Sequence, residues 1–235
     1  MGMDAKSLQA ELRSHADAKA AANLAEFFKT YEGGYGEGDQ FLGLKVPVIR
    51  AVCRSFRNLP LAEIEQLLES PIHEDRMAAL IILSGQALKA DPAIKKQLYE
   101  FYLRHTSRVN NWDLVDLSCR DVVGAYLLDK PRNVLYELAK SDNLWERRIA
   151  IVSTWEFIRR KQLDDTLTIA EILLHDKHDL IQKAVGWMLR EVGKRERARL
   201  VIFLDTHAHA MPRTMLRYAI ERFPPDQRQH YLSVR

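Results

Sequence analysis

Several things are scarce in this 235-residue chain. It has two cysteines, Cys53 and Cys119, in no CxxC pairing, which excludes a disulfide framework and a thiolate zinc site and fits a reducing compartment. No run of 18 apolar residues exists, so no segment reads as a transmembrane helix, and the opening MGMDAKSLQAEL lacks the apolar centre of a signal peptide. A cytoplasmic protein without membrane contact is the expectation. Glycine and proline are sparse, with 10 and 8 residues, and five of the glycines fall within residues 33–43. Elsewhere the chain has little with which to make tight turns, which favours long helices. Charge of one sign is also lacking: 35 Lys and Arg stand against 32 Asp and Glu, a net charge of +3. The excess lies in residues 141–235, which hold 17 basic and 13 acidic residues, so an anion-binding surface is expected to draw on that part.

What the chain does have is helical periodicity. Segments such as LAEIEQLLES, DRMAALIILSGQAL, WERRIAIVSTWEFIRR and LIQKAVGWMLREVGK repeat apolar residues at i, i+3, i+4 and i+7, and none alternates convincingly with period two. Asp, Asn and Ser at the breaks between them suit helix N-caps. Basic residues open four of the apolar stripes, Arg76, Arg148, Lys183 and Arg217, at steps of 72, 35 and 34 residues. This spacing predicts paired helices of the HEAT type: an all-α, single-domain α-solenoid over residues 1–235 with a concave groove. The glycine-rich stretch 33–43 cannot be helix interior. It matches no phosphate-binding motif, and reads either as a connector or as a loop lying against a ligand, with Lys45 just beyond it within reach of a phosphate or base.

The chemistry-bearing cluster is Trp112-Asp113-Leu114-Val115-Asp116. At helical spacing Trp112 and Asp116 share a face, while Asp113 suits a capping or dipole role at the helix start. Asp116 reads either as a salt-bridge partner or as a functional carboxylate. Trp187 reads as core or as groove, Trp145 and Trp155 read as core, and Arg148 reads as an inter-repeat ion pair or a phosphate ligand. Lys183, Arg190 and Lys194 are candidate backbone contacts or a solvated helix face. His207 and His209 lack carboxylate or Cys support at ligand spacing, so no metal and no cofactor is expected.

Four segments, FLGLKVP (41–47), NWDLVD (111–116), SDNLWERRIA (141–150) and IQKAVGWMLRE (181–191), resemble the AlkD family of alkylpurine DNA glycosylases. The resemblance covers almost the whole chain. It implies a HEAT-like solenoid that removes cationic N3- or N7-alkylated purines from duplex DNA as a monofunctional hydrolase, with no obligate protein partner and as a monomer, associated with the nucleoid when bound. It places the catalytic carboxylate on Asp116, the groove indoles on Trp112 and Trp187 and the arginine on Arg148. Asn111, Lys45 and Phe27 depart from the family's best-known pattern and bear on lesion preference and affinity. Two further readings follow from the same residues: a non-catalytic solenoid that binds damaged or branched nucleic acid, and a scaffold that binds protein.

Overall fold

The computed structural model describes residues 4–234. Its regular elements are helical; the only β-type contact among the described residues is an isolated bridge between Gln40 and Ile72. No helix among them is long and apolar enough to cross a membrane. The chain packs as two compact units, Met1–Ser118 and Cys119–Arg235.

The first unit contains α1 (Ala5–Ser14), α2 (Ala18–Phe27), α3 (Val46–Ser55), α4 (Leu61–Leu68), α5 (His73–Ala87) and α6 (Pro92–Arg104), and most of α7 (Trp112–Cys119). Local chemistry sets the helix starts. Asp4, Asp17 and Asp91 each accept backbone N–H groups of the first turn, and Pro92 opens α6, where its missing N–H costs nothing. The centre of this unit is α5. It is buried on nearly every side, including Glu74, Asp75 and Arg76, and packs against α1, α3, α4 and α6. Ile49, Ile64, Leu67 and Leu98 close the core around its Leu80 and Leu83.

The second unit begins where α7 gives way to a π-helical turn, Arg120–Gly124. It continues through α8 (Asn133–Leu138), α9 (Leu144–Ser153), α10 (Trp155–Arg159), α11 (Asp164–Ile172), α12 (Asp179–Arg195), α13 (Arg197–His207), α14 (Arg213–Ala219) and α15 (Pro225–Ser233). Here α12 is central. It buries Ile181, Ala184, Val185, Met188, Leu189 and Val192 among α9, α10, α11, α13 and α14. Gly186 allows the closest approach: a Cβ there would lie 2.5 Å from the Met215 carbonyl oxygen of α14.

A hydrogen-bonded turn recurs ahead of three helices. Ser70 Oγ, Ser141 Oγ and Asp176 Oδ1 accept the N–H two residues on, from Ile72 (3.1 Å), Asn143 (3.0 Å) and His178 (2.8 Å). The carbonyls of the same three residues accept from the side chain six residues on: Arg76 Nη1 (2.9 Å), Arg147 Nη1 (2.9 Å) and Gln182 Nε2 (3.0 Å). The turns are 71 and 35 residues apart. This is a helical repeat written in hydrogen bonds, and it sets the register one residue earlier than the basic-residue spacing does. Arg147, not Arg148, is the counterpart of Arg76, and Gln182 takes the position that Lys183 had in that spacing.

Candidate nucleic-acid interface

In the first unit the candidate residues Trp112 and Asp116 open α7 and are both half-buried. Asn111, fully buried, starts the helix: its side-chain oxygen accepts the Trp112 N–H at 2.8 Å and its carbonyl accepts the Val115 N–H. The Trp112 indole stacks on Phe28, with ring centres 5.5 Å apart, and meets Phe27 edge-on at 6.3 Å. Phe28 stacks in turn on Phe41 of the glycine-rich loop, and Phe41 stacks on the His73 ring at 4.7 Å. Phe27 itself remains 62% exposed beside the indole.

Behind this aromatic stack lies a buried charge network. His73 Nε2 is 2.9 Å from Asp113 Oδ2, and Nδ1 is 3.1 Å from Asp39 Oδ2. Arg76 Nη2 donates to the other Asp39 oxygen at 2.6 Å. Burial disfavours the imidazolium, but the bonds to Asp113 and Asp39 outweigh it and push the His73 pKa up to about 9. Burial likewise raises Asp39, and the His73 bond and the Arg76 charge overcome it, holding the carboxyl below its ordinary value. The network joins the glycine-rich loop (Asp39), the start of α5 (His73, Arg76) and the start of α7 (Asp113).

The loop is fastened a second time by Glu74. Its carboxylate accepts the N–H groups of Leu42 (2.9 Å), Gly43 (2.9 Å) and Leu44 (3.1 Å). Gly43 has φ +87°, and a Cβ there would fall 2.2 Å from the Asp17 carbonyl oxygen, so this position requires glycine. The loop is therefore a braced element rather than a slack connector. Lys45 follows it, exposed, as the residue preceding α3.

The second unit carries Arg148 and Trp187. Arg148 is only 5% exposed, and its Nη1 donates to the Leu180 carbonyl at 2.6 Å, which ties α9 to the start of α12. Trp187, half-buried on α12, packs edge-on against Trp155 at 5.1 Å, and the Arg120 guanidinium lies 5.1 Å from the Trp155 ring centre. Of the two tryptophans expected in the core, Trp145 is there at 8% exposure, while Trp155 is half-buried against Trp187. Lys183 pairs with Asp179 (2.6 Å), Lys194 with Glu191 (2.6 Å), and Arg190 with Glu191 and Glu221. His207 lies 3.4 Å from Glu171.

Sequence reasoning named Phe27 only as a departure from the family pattern and did not find His73, Asp39 or Glu74 as parts of this arrangement. The hydrogen-bond partners of these three side chains lie 30 to 71 residues away, and no local motif marks them, apart from the density of glycine around Asp39.

An all-α protein of repeated helices, with half-buried indoles on two of them, is the class these observations define. The chain matches the DNA alkylation repair enzyme family over residues 8–223 and belongs to that family. Among solved structures it is similar to one described as a predicted DNA alkylation repair enzyme from Enterococcus faecalis, with a TM-score of 0.71 and 16% sequence identity over 89% of this chain and 97% of that one. That likeness is one of fold. No match is found among curated proteins. The family description implies a role in alkylation repair, with DNA as the partner.

Proposed function

We propose that this protein is a monofunctional DNA glycosylase that hydrolyses the N-glycosidic bond of N3- or N7-alkylated purines in duplex DNA. The observation that carries the reading is a half-buried carboxylate, Asp116, one helical turn after a half-buried indole, Trp112, on a helix whose first turn is held by a buried ion network. An alkylated N3 or N7 makes the purine cationic, so the base leaves without a strong general acid. The remaining barrier is positive charge growing on the deoxyribose, as in other glycosyl transfers. A fixed carboxylate beside that sugar lowers the barrier electrostatically and can orient the attacking water. Indole faces attract the same developing charge, which gives Trp112 a role in cradling the sugar; Trp187 is the second indole that the family resemblance assigns to that role. The stacking of Trp112 on Phe28 supports this by fixing the indole before substrate arrives.

In this reading Lys45, Lys183, Arg190 and Lys194 touch the backbone. Arg148 acts through the start of α12, which it holds, and so steadies the helix that carries Trp187.

The test is release of methylated purines from methylated duplex DNA by the wild type and by Asp116→Asn. Release by the wild type and its loss in the variant, with duplex binding retained, is the expected result. Binding without release by the wild type would replace the enzyme with a HEAT-repeat module that recognises damaged or branched DNA.

A further inference from the structure

Lys183, Arg190 and Lys194 of α12 are matched by carboxylates, but a different set of cations in the first unit is not. Arg50 and Arg54 are four residues apart on α3 and share a face, and Arg57 lies in the turn just past the end of that helix. They and Lys89, beyond the end of α5, are exposed and line an open cavity of about 960 Å³ floored by apolar side chains that include Ile81 and Ile82. No acidic residue lines the cavity, and among the described residues none of the four cations is held by a carboxylate. The first 140 residues carry 18 basic and 19 acidic residues, so this is local segregation of charge and not a reflection of composition. Four cations facing one space repel one another until an anion enters it.

We propose that this groove holds the phosphodiester backbone of the duplex away from the lesion. Arg50 and Arg54 are one turn apart, about 6 Å of helix axis, over which one DNA strand offers about two phosphates, and Arg57 extends the row beyond the helix end. Guanidinium groups hold phosphate oxygens in pairs, and the apolar floor suits the carbon faces of the sugars. Arginine contacts to phosphate position a duplex without reading its bases, so this contact is independent of sequence. The inference rests on DNA being the partner and does not depend on base excision.

The experiment is anisotropy titration of an unmodified duplex oligonucleotide over a salt series. It compares the wild type, the triple variant Arg50→Gln/Arg54→Gln/Arg57→Gln, and a charge-matched control, Lys6→Gln/Lys96→Gln/Lys130→Gln. Each lost phosphate contact lowers the slope of log K against log salt by about 0.9. The arginine variant is expected to lose about 2 to 3 units of slope, with the control unchanged and the triple Lys replacement of the same arginines retaining most of the slope. Equal slopes for wild type and arginine variant would overturn the proposal. Binding of a helical Glu- and Leu-rich peptide by the wild type and not the variant, with duplex binding intact, would also overturn it, by assigning the groove to an acidic protein segment. Melting temperatures verify that each variant is folded. Base release from saturating methylated DNA reads separately: its absence in the wild type strikes the glycosylase reading and leaves the slope comparison standing.

Discussion

His73 donates from Nε2 to the Oδ2 of Asp113 across 2.9 Å, joining the first residue of α5 to the second residue of α7. With Asp39 on its other nitrogen, the imidazolium is the joint between the glycine-rich loop and the helix that carries Trp112 and Asp116. Replacing it by alanine leaves Asp113 without its cation and Asp39 with Arg76 alone. Truncating one partner of a buried ion pair costs about 3–5 kcal/mol. His73→Ala is therefore expected to lose stability on that scale in urea denaturation, and a loss below about 1 kcal/mol would show that the joint is not structural.

The same joint sets a pH dependence. The folded pKa of about 9 lies above the ordinary 6.5, so the stabilisation is complete below pH 6.5 and is lost as pH rises through about 9. Asp39 has the opposite sign: its contribution is present above its ordinary 3.8 and is lost as pH falls through its lower folded value. Urea midpoints are expected to decline between pH 6.5 and 9 in the wild type, and to decline less in His73→Gln.

Glu74 serves three backbone N–H groups with one carboxylate. Hydrogen bonds to a charged group contribute about 1.5–3 kcal/mol each. Glu74→Ala is expected to cost more than about 3 kcal/mol and to speed amide exchange at Leu42, Gly43 and Leu44. Exchange unchanged at those amides would contradict the brace.

Phe27 separates activity from stability. It is 62% exposed, so Phe27→Ala is expected to change stability by no more than about 1 kcal/mol. Yet it flanks the Trp112 ring, and under the proposed function its loss is expected to slow base release about tenfold, equivalent to about 1.4 kcal/mol of barrier. Single-turnover release together with a melting curve checks both halves.

Cys53 is held inert by burial, which pushes its thiol pKa up to about 12. Iodoacetamide at pH 8 is expected to leave it unmodified in the folded protein and to alkylate it once the chain is unfolded. Mass spectrometry distinguishes the two states.

The helices were legible because their stripes have the right period and their starts carry Asp or Asn. The acidic opening of α5 misleads for a physical reason. Glu74, Asp75 and Arg76 look like a solvated first turn, but each is buried and has its partners in other elements, such as Asp39 and Gln9. Asp113 was read as a local helix-start residue. It does accept the Leu114 N–H, but its longer-range bond to His73, 40 residues away, leaves no trace in spacing. Likewise the repeat was visible as a spacing of basic residues, while its register follows carbonyl acceptors in the turns, which composition does not display. Asp116 and Trp112 were legible as a pair because a helical turn separates them; the aromatic stack that fixes Trp112 depends on a loop whose path only folding defines.

The recurring turn at Ser70, Ser141 and Asp176 has an architectural consequence. Residues 141–175 begin at one such joint and end where the next begins, and the two joints make the same pair of bonds. The segment therefore carries a matching joint at each end. An ancestral array could lengthen by duplicating it without inventing a new connection, since Ser and Asp serve equally as the acceptor that folds the chain back into the next helix.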